Sequence, residues 1–150
     1  MTQYTLHPAD EADKEQIRVL SEHCYRDVVE RQFGAWDVAA QQQFFEKKWA
    51  GLTYQKVMIG GLFGGALAID RGADQITLSE ILIAPEFQGQ RIGTEIVLDV
   101  LKSAAEGQLP VKLQVLQMNR AMALYKRLGF VETGRNETHV LMEHASSRSL

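Results

Sequence analysis

The sequence has 150 residues, the length of one ordinary domain, and its 45% hydrophobic and 23% charged content is typical of a soluble globular protein. Sixteen basic and nineteen acidic residues give a formal net charge of -3, which argues against the broad cationic surface that nucleic acid requires. No apolar stretch approaches the ~20 residues of a membrane span, and the single Cys24 cannot form an internal disulfide. We therefore expect a cytoplasmic protein, with neither nucleic acid nor a membrane as its partner.

The chain shows no linker rich in Pro, Gly or Ser and no internal repeat, so we expect a single domain over residues 1–150 with a frayed tail at about 145–150. A short strand is predicted from Thr2 to His7. Two helices follow. Asp10 and Asp13 form a helix-start signal, and Gly34 ends the first helix. Its apolar positions recur at helical spacing: Ile17, Leu20, Cys24 and Val28.

The second helix gives way to a run of strands. Asp37 can cap this helix, and its predicted apolar face carries Val38, Phe45 and Trp49. The runs Val57–Ile59 and Leu62–Ile69 flank a Gly-Gly pair, which predicts a hairpin with a tight turn. Ile76 to Ala84 is the most apolar strand, as expected of a central one.

The C-terminal half continues with alternating helices and strands. Its first helix carries an apolar stripe: Ile96, Val97, Val100, Leu101 and Ala104. Val111–Leu116 is a strand that can pair parallel to Ile76–Ala84 around that helix. A short helix, for which Gly129 suits a left-handed C-cap, precedes two last strands, near 130–133 and 138–142. The predicted order is β-α-α-β-β-β-α-β-α-β-β.

The segment from Ile83 to Thr94 lies between the buried strand and the start of a helix. Such a junction collects unpaired backbone N–H groups and the positive end of a helix dipole, which together bind a diphosphate. The glycine-lysine ending of a P-loop is absent, and no G-x-G-x-x-G string follows a strand. A plain turn between strand and helix is the alternative interpretation.

This segment resembles the coenzyme A signature of the GNAT superfamily of N-acetyltransferases, which reads Gln or Arg, two residues, Gly, one residue, then Gly or Ala. Gln88 and Gly93 match its ends, whereas Arg91 stands where the pattern has glycine. A cation at Arg91 can assist by its charge or crowd the loop. The resemblance covers most of the chain and implies an α/β (α+β) fold, with a mixed, mostly antiparallel sheet of about seven strands and four helices.

The resemblance also implies acetyl-CoA as the co-substrate, without a metal. The residues that it implies at coenzyme A are Ile81, Leu82, Ile83, Gln88, Gly89, Gln90, Arg91, Ile92, Gly93, Thr94, Asn119 and Tyr125. Asn119 matches the asparagine that contacts the pantetheine arm. The backbone N–H groups of Ile81–Ile83 match those that bind the oxyanion of the reaction. The four histidines show none of the short paired spacings of zinc sites.

Two residues are candidates for proton transfer. Tyr125 matches the family's tyrosine that faces the sulfur; the ordinary tyrosine pKa of about 10 exceeds the roughly 8.5 of a thiol, so it can protonate the departing thiolate. Its alternative is packing beside Leu124 and Leu128. Glu80 is the one carboxylate on the central strand, and burial would raise its pKa toward the range of a general base. A hydrogen-bonded structural glutamate is the alternative.

The acceptor is predicted to be a primary amine of a small molecule or a peptide. In the family the first two helices wall the acceptor pocket, so the candidates are Tyr25, Arg26, Glu30, Phe33, Trp36 and, on the last strand, His139. Core packing or a solvated helix face explains most of them equally well. A non-catalytic acetyl-CoA sensor, a longer acyl donor and a homodimer formed through strand edges stay open.

Overall fold

The computed structural model describes residues 3–145; the predicted strand residue Thr2 and the predicted frayed residues 146–150 lie outside the described residues. Seven strands and four α-helices occur within them, in the predicted order. The elements are β1 (Thr5–Pro8), α1 (Lys14–Phe33), α2 (Val38–Gly51), β2 (Tyr54–Ile59), β3 (Leu62–Arg71), β4 (Ile76–Ile83), α3 (Ile92–Glu106), β5 (Val111–Leu116), α4 (Ala121–Arg127), β6 (Val131–Arg135) and β7 (His139–His144).

The strands form one sheet in the order β1-β2-β3-β4-β5-β7-β6. β4 is the fourth of seven strands, which confirms the predicted central strand. The parallel pairing of β4 with β5 is also confirmed, and its ladder joins Ile76 to Val111 and Thr77 to Lys112 at the start of both strands. The pairs β1–β2, β2–β3, β5–β7 and β6–β7 are antiparallel. The predicted fold class is therefore confirmed.

The chain divides into two compact units by its internal contacts. The first comprises the described residues up to Ile69 together with Glu80–Gly93, and the second comprises Asp70–Ser79 with the described residues from Thr94 onward.

In the first unit, local signals fix the helix ends. Asp10 and Asp13 form a capping box ahead of α1, and Gly34 ends α1 with a φ of 90°. The Asp37 side chain accepts a hydrogen bond from the Ala40 N–H at the start of α2. The predicted apolar face of α2 is wrong at Val38, which is 73% exposed, whereas Phe45 is buried. Val38 lies in the first turn, beyond the reach of the core.

The core of this unit lies between the helices and β2–β4. Its buried residues are Ile17, Leu20, Phe45, Tyr54, Ala66, Ala68, Leu82 and Ala84. Trp49 stacks between Phe45 and Tyr54, with ring centroids 6.2 and 5.4 Å away. These contacts pack α1 and α2 against β2, β3 and β4, and β4 carries Glu80 and Leu82.

In the second unit, α3 buries most of its predicted stripe, although Leu101 is only partly buried. β5 pairs with β7 along its whole length, from Val111–His144 to Leu116–His139. Gly129 has a φ of 102°, and a Cβ there would lie 3.0 Å from the His144 imidazole. The left-handed conformation predicted for this glycine is confirmed, and the turn places Phe130 in the core at 2% exposure.

Candidate functional site

The loop between β4 and α3 is held by its own glutamines. A short 3-10 turn, Pro85–Phe87, follows the strand, and α3 begins at Ile92. The Gln88 Nε2 donates a hydrogen bond of 2.9 Å to the Ile83 carbonyl, and the Gln90 Nε2 donates one of 3.3 Å to the Glu86 carbonyl. Gln88 therefore ties the loop back to the strand from which it emerges, and Gln90 ties it to the 3-10 turn.

Two residues of the loop adopt the left-handed conformation. Gly89 has a φ of 80° and Arg91 a φ of 66°. For a residue with a Cβ this conformation costs roughly 1–2 kcal/mol, which explains why glycine suits this position in the family pattern. A left-handed residue followed by a helical one turns successive N–H groups to one side and forms an anion-binding nest. Arg91 and Ile92 have this arrangement, since Ile92 opens the helix.

The start of α3 supplies further donors. The first four N–H groups of a helix have no partner within it, and the helix dipole adds partial positive charge there. A Cβ on Gly93 would meet the Ile83 side chain at 3.8 Å, an ordinary contact, so alanine fits as the family pattern allows. Gln88, Gly89, Gln90 and Arg91 are exposed, whereas Ile92 is 1% exposed and anchors the turn. Backbone donors of this loop can hold a diphosphate.

Glu80 is the buried acid of the central strand. It is 3% exposed and the only polar or charged residue buried to that degree among residues 3–145. The Tyr25 hydroxyl on α1 donates to its Oε2, and the Tyr54 hydroxyl on β2 donates to its Oε1 at 3.1 Å. Lys48 on α2 lies with its Nζ 3.4 Å from the same Oε1. One carboxylate thus joins three elements to β4.

The electrostatics around Glu80 follow from burial and its charge. Burial and the neighbouring carboxylate raise the pKa of Tyr54 well above its ordinary value, so its phenol stays protonated. Burial is also the main cause that raises the pKa of the Cys24 thiol to about 11; its Sγ lies 3.5 Å from the Ile83 carbonyl oxygen. The Lys48 ammonium lies 4.6 Å from the centre of the Tyr25 ring.

Sequence reasoning missed Tyr54 and Lys48. Glu80 meets them across 26 and 32 positions of chain, and no local spacing signals such a contact. The one available signal was chemical: a carboxylate on a strand with no other acid requires buried donors.

Ile81, Leu82 and Ile83 complete β4 beside Glu80. Leu82 is 1% exposed, and its two neighbours are partly buried. The Ala84 N–H donates to the Gly64 carbonyl at 2.8 Å. The ladder with β5 involves only Ile76 and Thr77 of this strand.

In the second unit, Tyr125 is partly exposed on α4, a helix without a buried residue. Its ring packs edge-on against that of Phe130, with 5.6 Å between the ring centroids, and Phe130 packs in the same way against His144, with 5.5 Å between the centroids. The N–H groups of Leu128 and Phe130 donate to the Tyr125 carbonyl at 3.1 and 3.0 Å. The Asn119 side chain accepts from the Ala121 N–H at 2.8 Å and so caps the same helix. Thr94 lies in the first turn of α3.

The acceptor candidates fall into separate groups. Arg26 pairs with Glu30 at 3.5 Å, and its guanidinium lies 5.8 Å from the centre of the Trp36 ring. Phe33 is 52% exposed at the end of α1, whereas Tyr25 turns to Glu80. His139 belongs to the second unit, where its Nδ1 lies 2.7 Å from the Thr138 hydroxyl. The structure therefore brings Arg26, Glu30 and Trp36 together and gives Tyr25 a different partner.

Neither a metal cluster nor a membrane helix is found over residues 3–145. No three His, Cys, Asp or Glu side chains of this range are placed to hold a metal ion. None of the helices described there is long and apolar enough to cross a membrane.

Comparison with known proteins relates these features to one family. The family model described as "Acetyltransferase (GNAT) domain" matches residues 8–143, and no curated protein matches the sequence. The PaiA N-acetyltransferase of Thermoplasma acidophilum, solved in complex with coenzyme A, superposes with a TM-score of 0.76 at 14% identity, over 95% of this chain and 99% of that one. An acetyltransferase of Thermus thermophilus superposes with a TM-score of 0.72 at 18% identity, over 95% of this chain and 97% of that one. The ribosomal-protein-S18-alanine N-acetyltransferase of Escherichia coli superposes with a TM-score of 0.64 at 19% identity, over 97% of this chain and 95% of that one.

Proposed function

Because the chain belongs to the GNAT acetyltransferase family, we propose that it moves the acetyl group of acetyl-CoA to a primary amine of a small molecule or peptide, by direct attack in a ternary complex. The observation that carries this proposal is the loop from Gln88 to Gly93, braced by two glutamines and leading into a helix start, where backbone N–H groups have no partner within the helix. Such a loop suits the diphosphate of a coenzyme.

The residues that bind the coenzyme are proposed one by one. Backbone N–H groups of residues 88–94 bind the diphosphate, and the Arg91 guanidinium, which is exposed beside them, adds charge. Asn119 contacts the pantetheine arm. These assignments rest on the match of each residue to the family's motifs and, for the loop, on its geometry.

The chemical roles are proposed in the same way. The N–H groups of Ile81, Leu82 and Ile83 stabilise the developing oxyanion, and the β5 ladder limited to the first residues of β4 supports this role. Tyr125 protonates the departing thiolate; its partly exposed ring, fixed by Phe130, supports a role beyond packing. Glu80 accepts the proton of the amine. Arg26, Glu30, Phe33, Trp36 and His139 stay candidates for the acceptor side.

Thermal unfolding with and without acetyl-CoA tests the proposed coenzyme site. A ligand at 100 times its dissociation constant adds about 2.7 kcal/mol to stability, so the midpoint rises clearly. Gly89→Val places a β-branched residue at a φ of 80° and is expected to abolish this shift. Gly61→Val is the matched control, because Gly61 has a φ of 81° in the β2–β3 turn. It loses stability but keeps the shift.

Turnover tests the catalytic part. Thiol release from acetyl-CoA is measured across a panel of primary amines, with Tyr125→Phe expected to lower kcat about 100-fold or more. Tight binding of acetyl-CoA without turnover on any amine would instead favour the non-catalytic sensor. A single domain over 1–150, a cytoplasmic location and a homodimer stay predictions from the sequence.

A further inference from the structure

We infer that Tyr25 is a catalytic residue of the acetyl transfer, carrying the proton of the acceptor ammonium to the buried Glu80 through its phenol. This inference rests on the proposed function and names the route by which the base is reached. The contact that carries it is the hydrogen bond from the Tyr25 hydroxyl to Glu80 Oε2.

Glu80 and the residues that bind it differ in their exposure to solvent. The Glu80 side chain is 1% exposed, and its oxygens accept from Tyr25 and Tyr54 and face Lys48. An acceptor amine therefore has no direct approach to the carboxylate. Tyr54, at 4% exposure, is as inaccessible as Glu80 itself. Tyr25 is partly exposed and so joins this buried acid to the surface.

The titratable groups described around Glu80 come from three elements packed on it. They are Tyr25 and Cys24 of α1, Lys48 of α2 and Tyr54 of β2. Lys48 also reaches solvent, with 41% of its side chain exposed. As an ammonium it has no lone pair with which to accept a proton. A phenol both donates and accepts, whereas a thiol such as that of Cys24 does so only weakly, so Tyr25 combines access with the required chemistry.

The protons and the acetyl group move in two coupled steps. An N–H bond of the acceptor ammonium breaks and its proton bonds to the Tyr25 oxygen, while the Tyr25 O–H bond breaks and that proton bonds to Glu80 Oε2. The freed lone pair attacks the thioester carbon, and the C–S bond breaks. Tyr125 gives its proton to the departing thiolate, which becomes the thiol, and takes up the surplus proton of the new amide nitrogen. After product release Glu80 returns its proton to solvent through Tyr25.

The test compares two phenol deletions on the same carboxylate. Tyr25→Phe breaks the relay, and kcat/KM for the amine is expected to fall about 100-fold near pH 7. The deficit narrows as pH rises, because the amine loses its proton in solution before it binds. Tyr54→Phe removes the other phenol bond to Glu80; it lowers the unfolding midpoint and produces no deficit that grows as pH falls. Equal pH profiles for Tyr25→Phe and the wild type would overturn the inference.

A second measurement does not depend on the variant folding. In mixtures of H2O and D2O, kcat/KM of the wild type is expected to curve with deuterium fraction, since two protons move together; a straight line overturns the relay. The midpoint shift with acetyl-CoA is measured on every variant. If the wild type shows no such shift, or no turnover, the proposed function is contradicted. If only the relay is wrong, the wild type keeps both the shift and the turnover.

Discussion

The backbone of Gly65 on β3 lies in close contact with the main chain of Leu82 on β4. A Cβ on Gly65 would overlap the Leu82 carbonyl oxygen and lie 3.4 Å from the Ile83 Cα. The obstacle is main chain, which cannot rotate away as a side chain can. This close approach fixes the part of β4 that carries the proposed oxyanion donors.

Gly65→Ala is therefore expected to lower the free energy of unfolding by about 2–3 kcal/mol, the upper range for overpacking. Gly64→Ala is the matched control on the adjacent residue, because its Cβ would meet the Ile59 side chain and not main chain. A side chain can turn away, so this variant should cost less. Urea denaturation of both variants measures the difference. Equal losses would show that β3 and β4 adjust to the added methyl group.

Arg91→Gly is expected to stabilise the protein and weaken its coenzyme binding. Glycine adopts the φ of 66° without strain, so the free energy of unfolding rises by about 1 kcal/mol, while loss of the guanidinium lowers acetyl-CoA affinity several-fold. Gln108→Gly controls for the strain, since Gln108 has a φ of 57° after α3. It should gain similar stability and keep its affinity. Tighter binding by Arg91→Gly would mean that the arginine crowds the loop.

Local patterns predicted most of the fold correctly. Three features depend on residues close together in sequence: the order of strands and helices, the Gly60-Gly61 turn and the left-handed Gly129. At such places the local residues themselves favour one conformation. Strand ends were less accurate: β3 continues to Arg71, and β6 begins at Val131. Pairing with a neighbouring strand sets those limits, and that pairing has no local signal.

The candidate site was predictable only in part. The loop and Tyr125 were found through motifs whose residues lie within one segment. The partners of Glu80 lie on three other elements, so their identity depends on tertiary packing. The positive φ of Arg91 was likewise invisible, because a departure from a family pattern shows a changed residue without showing its conformation.

Asp13 is expected to stabilise the protein at neutral pH and to lose that effect in acid. The Asp10 N–H donates to Asp13 Oδ2 at 2.9 Å, and this bond, helped by Lys56, holds the pKa of Asp13 below its ordinary 3.8. A carboxyl whose folded pKa is lowered stabilises above its unfolded pKa and loses this as pH falls through the folded value. Asp13→Ala should cost about 1 kcal/mol at neutral pH and progressively less in acid, as the pH falls below the ordinary 3.8. Glu15→Ala, at an exposed ion pair, should cost little at either pH; a constant loss for Asp13→Ala would contradict the linkage.

Cys24 is expected to be unreactive in the folded protein and dispensable for turnover. With a pKa of about 11 against a reference of 9.0, its thiolate fraction at about pH 8 falls from about 10% to about 0.1%. The thiolate is the reactive form, so labelling by a thiol reagent should be about 100-fold slower or more than in denaturant. Cys24→Ala should retain acetyl transfer, because direct attack by the amine needs no acetyl-cysteine. Rapid native labelling together with loss of turnover in this variant would instead indicate a covalent intermediate, and the ternary-complex mechanism would have to be abandoned.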